Sequence, residues 1–113
     1  MKISELEQGS ITDALVALAQ EWENHSSKLW LTDDGFMPKK SYTPSSGNAQ
    51  TFDLIEKFKI NLNYVDHFLE DTYWVANSRT NTGSSTPAIS ICKAVIASKW
   101  GDEIPDEIME KVR

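Results

Sequence analysis

A helix start at Thr86 is the feature that most constrains the fold of this 113-residue chain. Thr86 belongs to the residue types that cap helices, and Pro87 follows it at the first helical position, where the missing N–H of proline costs nothing. Apolar residues then keep the helical period as far as Trp100, and Gly101 suits the left-handed backbone that stops a helix. The sequence therefore predicts a helix from Pro87 to about Trp100.

Three other segments show helical spacing of their apolar residues. The first begins with the capping-box pattern of residues 10–13 and is predicted to run from Ser10 to about Glu23. Its predicted apolar face consists of Ile11, Leu15, Leu18 and Trp22. The second is a short helix whose apolar residues are Phe52, Leu54, Ile55 and Phe58. The third is a short helix from about Pro105, with apolar Ile108, Met109 and Val112.

Alternating, β-branched and aromatic segments predict strands between these helices. Residues 29–32 have strand chemistry, and the turn 33–35 is predicted to join them to Phe36 and Met37 in a hairpin. Residues 60–64 and 72–76 are predicted to pair with each other, and residues 38–48 to form an ordered loop. Because the elements lack a βαβ order, the sequence predicts an α+β fold with a small, largely antiparallel sheet packed against about three helices.

Length and composition indicate a single domain over residues 1–113. The apolar share of 40% and the charged share of 25% are those of a globular protein. Cys92 is the single cysteine, so a disulfide within the chain is excluded. No apolar run approaches the roughly 20 residues that span a bilayer, and the opening residues are acidic where a signal peptide is basic. These features favour a cytoplasmic protein with no membrane partner.

The charge balance is acidic, with 11 basic and 17 acidic residues and a net charge of -6. Proteins that bind nucleic acid through its phosphates usually carry the opposite balance, because they release counterions from the backbone. The sequence therefore disfavours direct nucleic-acid binding. An acidic surface is also compatible with docking on a basic protein, including as a mimic of nucleic acid, although acidity at this level most often serves solubility.

Three blocks of the chain resemble the NinX family of bacteriophage accessory proteins. The first block is residues 1–6 with the helix up to Ala19, and the second combines residues 42–45, 49–50 and 54–57. The third combines residues 86–89 with residues 95–103. The chain departs from the family pattern at Asn48, where members often have an aromatic residue, and at residues 51–53, where they have a glycine-rich turn with a proline. The resemblance implies a phage or prophage product in the bacterial cytoplasm, from a family without a settled activity.

The residues give little indication of catalysis. His67 and Glu70 stand three residues apart, but a protein metal site normally needs three or four ligands. Cys92 falls on the apolar face of a predicted helix, where a thiol is usually a core residue. The sequence contains no nucleophile elbow, phosphate-binding loop or dinucleotide motif. The sequence therefore favours a protein that has no enzymatic activity and binds no metal or cofactor.

Four tryptophans offer a possible stacking platform for bases, but Trp22, Trp74 and Trp100 lie on predicted apolar faces. We expect these three in the core. Trp30 is the exception, since it lies beside Lys28 and just before a turn.

Two hydroxyl-rich loops each lead into the amino end of a predicted helix. Free backbone N–H groups and the helix dipole favour anions there, and the Arg79 guanidinium adds a cationic contact. If the loops converge, the candidate ligand-binding residues are Tyr42, Ser45, Gln50, Arg79 and Thr86. The alternative is that these side chains only cap helices and form turns.

Two functions from different classes follow from these patterns. The favoured one is a non-catalytic phage or prophage accessory protein that binds a host or phage protein. The alternative is a protein that binds or sequesters a nucleotide or another small anion through the two loops. A mimic of nucleic acid is the third possibility.

Overall fold

The computed structural model describes residues 1–65, 73–77, 81–84 and 86–112, and the predicted long helix lies at its centre. This helix, α3 (Pro87–Trp100), begins at Thr86, whose Oγ1 accepts a hydrogen bond from the Ile89 backbone N–H at 3.3 Å. Residues 88–97 are all buried, because other elements pack on every side of α3. Gly101 ends the helix with a φ of 76°. The predicted bounds of this helix are confirmed.

The first helix, α1 (Ser10–Ala19), is shorter than predicted and is capped differently. Gly9 occupies the cap position, and no side chain caps the helix, so the predicted capping box at Ser10 is wrong. The Asp13 carboxylate instead accepts a hydrogen bond from the backbone of Ser45. The helix stops at Ala19 because Glu21 has a φ of 65°.

The expected hairpin forms two of the three strands of the first sheet. Strand β2 (Leu29–Thr32) pairs antiparallel with β3 (Gly35–Pro38), and Thr32 lies opposite Gly35 at the turn. A third strand, β1 (Glu23–Asn24), pairs with β2 on its other side, although the sequence placed these residues at the end of the first helix. Two 3-10 turns, Lys39–Ser41 and Pro44–Ser46, then lead toward the second helix.

The second sheet confirms the pairing predicted between residues 60–64 and residues 72–76. Strand β4 (Asn61–Val65) pairs antiparallel with β5 (Tyr73–Asn77), which also pairs with β6 (Asn81–Ser84). This sheet packs on α3. The α+β class and the antiparallel pairing are therefore confirmed, while the described strands form two three-stranded sheets where one small sheet was predicted.

The two remaining helices close the core. Helix α2 (Ala49–Phe58) begins at Asn48, whose side chain caps it together with Thr51, and ends before Lys59, which has a φ of 54°. Helix α4 (Asp106–Val112) packs on α1. Leu54, Ile96 and Met109 are at most 2% exposed, and burying each such side chain contributes about 1.5–3 kcal/mol.

Three apolar residues are placed differently from the prediction. Ile11 and Phe52 are exposed by 37% and 71%, so neither faces the core as expected. The predicted exception among the tryptophans, Trp30, is in the core at 3% exposure, whereas Trp22 and Trp100 are partly buried against it. The side chain of Trp74 lies outside the part described. Cys92 is fully buried, as predicted.

No helix among the described residues is both long enough and apolar enough to cross a membrane.

Candidate functional site

Tyr42 and Ser45, two of the predicted ligand-binding residues, are held tightly within the fold. The Tyr42 hydroxyl accepts a hydrogen bond from Gln20 Nε2 at 2.7 Å, and its ring packs 4.6 Å from the ring of Trp22. Burial raises the pKa of this hydroxyl above its usual value. Ser45 is 2% exposed, and its Oγ accepts a hydrogen bond from the Gly9 backbone N–H at 3.1 Å. Both side chains thus tie the 42–46 segment to α1 and its surroundings.

Gln50 and Thr86 also form hydrogen bonds within the chain. Gln50 Oε1 accepts from the Thr43 backbone N–H at 2.7 Å, and its Nε2 donates to the Ser41 carbonyl at 2.8 Å. The Thr86 hydroxyl caps α3. These contacts match the capping and turn-forming alternative. Arg79, the predicted cationic contact, and the His67–Glu70 pair lie outside the described residues.

The starts of α2 and α3 do converge, but the space between them is apolar. A Cβ added to Gly47 would lie 3.6 Å from the Ala88 Cβ. The two helix starts share a cleft of about 190 Å³ whose lining is mostly apolar, including Phe52, Ile55, Leu62, Ala88 and Ile91. A site with this lining offers little to an anion.

A larger and more polar cleft lies between the start of α1, the first sheet, the 39–46 segment and the end of α4. Its volume is about 860 Å³. We call it the lysine cleft, and its lining includes Gln8, Gly9, Ser10, Asp13, Asn24, Trp30, Lys39, Lys40, Tyr42, Thr43, Ser46 and Lys111. Three residues of the hydroxyl-rich loop before α2, Tyr42, Thr43 and Ser46, therefore line a cleft that the sequence did not predict.

Lys39, one of the lining residues, is held in position by two contacts of its ammonium group. Its ammonium lies 4.6 Å from the centre of the Trp30 ring, and it also donates a hydrogen bond to Asn24 Oδ1. The Lys39 backbone N–H donates to the Lys28 carbonyl at 2.8 Å, which extends the pairing of β2 and β3. A cation over a buried aromatic face is attracted by the ring quadrupole, so Trp30 orients the charge.

Two further lysines complete the positive charge of the cleft. Lys40 is the next residue in the same 3-10 turn, and Lys111 lies in the last turn of α4. Both are exposed. Three lysines from two distant parts of the sequence therefore line one cleft.

The amino end of α1 and the Asp13 carboxylate also line the cleft. Because Gly9 leaves α1 without a side-chain cap, the helix dipole at this end is open to an anion. Asp13 is the single carboxylate in the described lining, and its Oδ1 accepts the Ser45 backbone N–H at 2.8 Å. Burial raises the pKa of this carboxyl, while the hydrogen bonds from Ser45 lower it. Lysine ammonium groups therefore outnumber carboxylates in the described lining, and the Asp13 carboxylate is already hydrogen-bonded to Ser45.

The lining suits non-covalent recognition better than covalent chemistry. Lysine ammonium groups and the hydroxyls of Ser26, Ser27, Thr43 and Ser46 donate hydrogen bonds to anionic oxygens. Cys92 is fully buried, and burial raises the pKa of its thiol, so it does not supply a thiolate nucleophile here. Among the described residues, no group of three or more His, Cys, Asp or Glu side chains is placed to hold a metal ion.

Sequence reasoning missed the lysine cleft because its parts are far apart in the chain. One local indication was present, since Lys39 and Lys40 are adjacent in a chain of net charge -6. The ammonium that lies over the Trp30 ring belongs to Lys39 and not to Lys28, the lysine nearer to Trp30 in the sequence.

No known protein-family model matches the sequence, and no curated protein matches it significantly.

Proposed function

We propose that this chain is a small, non-catalytic binding protein that holds a phosphate-bearing small molecule, or a similar anion, in the lysine cleft. The observation that carries the proposal is the convergence of Lys39, Lys40 and Lys111 on one cleft beside the uncapped end of α1. Charge-assisted hydrogen bonds from such groups are roughly twice as strong as those between neutral partners.

The size of the cleft supports a ligand larger than a single phosphate. Its volume of about 860 Å³ falls within the range of roughly 300–1,000 Å³ typical of small-molecule sites. The lining combines three lysines with the aromatic side chains of Tyr42 and Trp30, and the Lys39 ammonium lies over the Trp30 ring, so it offers contacts to both an anionic and an apolar part. A nucleotide-like molecule has this combination.

The net charge of -6 is compatible with such a ligand. At physiological ionic strength charges are screened over about 8 Å, so a bound ligand responds mainly to the groups that line its site. In the described lining, three lysines face one carboxylate. The acidic remainder of the chain slows approach of an anion more than it weakens the bound state.

The resemblance to the NinX family gives this proposal its setting. In that setting the protein is a phage or prophage accessory product of the bacterial cytoplasm, and it acts by sequestering or presenting its ligand. The family assignment and the location are parts of the proposal.

Thermal unfolding in the presence of phosphate-bearing compounds tests the proposal. A panel of nucleotides, pyrophosphate and sugar phosphates is added to the wild-type chain and to a Lys39→Gln/Lys40→Gln variant. We expect at least one compound to stabilise the wild type, since a ligand at 100 times its Kd adds about 2.7 kcal/mol. Removing a charge-assisted contact costs about 1.5–3 kcal/mol, so affinity should fall tenfold or more in the variant.

The matched control is Lys2→Gln/Lys59→Gln, which removes the same charge from exposed positions outside the cleft lining. It should retain the wild-type response. Equal loss in both variants would mean that net charge alone governs binding, and an unresponsive wild type would refute anion binding by the described cleft.

Binding of a protein partner is a second candidate function, favoured by an exposed aromatic side chain beside a groove. Phe36 is 60% exposed, and large exposed apolar side chains near grooves often mark interaction surfaces.

A further inference from the structure

A second groove, whose described lining shares Tyr42 with the lysine cleft, lies between the hairpin and α2. Its volume is about 240 Å³. We call it the Phe36 groove, and its lining includes Trp22, Asp34, Phe36, Met37, Asp53 and Lys57.

Two aromatic rings form the apolar part of the groove. Trp22 is partly buried, and its ring is held by the Tyr42 ring at 4.6 Å, at a tilt of 54°. Phe36 lies on the edge strand β3 and packs 4.7 Å from the His25 ring, yet 60% of it remains exposed. The hairpin therefore presents an aromatic side chain that the chain's own core does not cover.

The charges of the groove are two carboxylates and one ammonium. Asp34, at the hairpin turn, and Asp53, on α2, line it from opposite sides. Lys57 reaches in from α2, where its Nζ donates to Gln20 Oε1 at 3.0 Å and lies 6.0 Å from the centre of the Trp22 ring. The chain thus already places an ammonium group at this surface. Lys57 balances the charge of one of the two carboxylates, and the charge of the other is left for a partner.

We propose that the Phe36 groove receives an arginine side chain, flanked by apolar residues, from a basic partner protein. This inference gives the second candidate function a site and a kind of partner, and it does not depend on the lysine cleft. A guanidinium stacks on aromatic faces and binds carboxylates in a forked geometry, so Trp22, Phe36 and the two aspartates match its chemistry. The apolar flanks of the arginine cover the exposed face of Phe36.

The charge of the whole chain favours a basic partner over a second copy of this chain. At net -6 two copies repel each other, whereas a basic surface is attracted and steered to the groove. Aromatic residues and arginine are also the groups that most often contribute strongly at protein interfaces.

The test uses a short acetylated peptide with one arginine between leucines, together with the same peptide carrying neutral citrulline. Binding to the full chain is followed by the indole N–H signal of Trp22 and the backbone amide signals of Asp34, Phe36 and Asp53. We expect saturable shifts with the arginine peptide and about tenfold weaker binding of the citrulline peptide, because the charge-assisted hydrogen bonds are lost. Phe36→Ser and Asp53→Asn should weaken arginine-peptide binding by a similar factor.

Phe52→Ser is the matched control, since Phe52 is an exposed phenylalanine on the same helix as Asp53 but lines the apolar cleft between the starts of α2 and α3. It should bind the arginine peptide as the wild type does, and so should the Lys39→Gln/Lys40→Gln variant.

Absence of saturable shifts, or equal binding in Phe36→Ser and Phe52→Ser, would overturn the proposal. The latter result is the one expected of a nucleic-acid mimic, whose acidic surface acts without Phe36. Sedimentation gives a further test of the proposal. If the wild type is a dimer and Phe36→Ser dissociates it, the groove binds a second copy of this chain and the proposal is overturned.

Discussion

The Asp13 carboxylate joins the first helix to the loop before α2. It lies in the first turn of α1 at 7% exposure and accepts the backbone N–H of Ser45, while Ser45 Oγ accepts the N–H of Gly9. This reciprocal pair fixes one wall of the lysine cleft. The sequence indicated an acidic residue near a helix start, but it assigned Asp13 to a local cap because the distant partner at Ser45 was not visible.

The pH dependence of stability should reflect this buried carboxyl. Its folded-state pKa is raised by burial, so the folded chain retains the Asp13 proton at pH values where the unfolded chain has lost it. The contribution of Asp13 to the free energy of unfolding is therefore fully present below the unfolded-state pKa and is lost as pH rises through the raised pKa. We expect Asp13→Asn, which keeps an oxygen acceptor for Ser45, to remove this decline.

Thermal unfolding of both chains from pH 3 to pH 7 checks this expectation. The melting temperature of Asp13→Asn relative to wild type should increase as the pH rises above about 4, near the ordinary pKa of an aspartate. A wild type that instead gains stability relative to the variant over this interval would show that the carboxylate form is favoured by folding.

At the scale of elements, the sequence predicted those whose start and end are determined by adjacent residues. Helix α3 has both its cap and its stop within its own sequence, at Thr86 and Gly101, and its bounds were predicted correctly. Helix α1 lacks a side-chain cap. The last turn predicted for it is absent, because Glu23 and Asn24 pair with β2 and form strand β1. Pairing between strands depends on tertiary contacts, and these override helical propensity.

A pair of hydroxyl deletions tests this difference between the two helix starts. Thr86→Ala removes the acceptor for the Ile89 N–H and should lower the free energy of unfolding by about 1 kcal/mol. Ser10→Ala removes a hydroxyl that does not cap α1, and it should change stability by less than about 0.5 kcal/mol. Urea unfolding of both variants measures the two values, and equal losses would contradict the assigned cap positions.

At the scale of the whole molecule, the lysine cleft exists because distant segments meet. Lys111 approaches because α4 packs on α1, and the N-terminal segment pairs with residues near the start of α4, as in the 2.8 Å hydrogen bond from the Ile104 N–H to the Met1 carbonyl. Lys39 and Lys40 approach because the chain returns to α1 just beyond them, where the Pro44–Ser46 turn packs on α1. The sequence gives the position of each lysine, but only the fold shows which of them line the same cleft.

Anion binding by the lysine cleft is tested most directly by an NMR titration of the wild-type chain with pyrophosphate, followed at the backbone amides. We predict saturable shifts at Gly9, Ser10, Lys39, Lys40 and Lys111, which line the cleft. Shifts centred instead on Thr86 and Ile89 would place the anion at the start of α3, and an absence of saturable shifts would leave the cleft without its proposed ligand class. Either of these results would contradict the account.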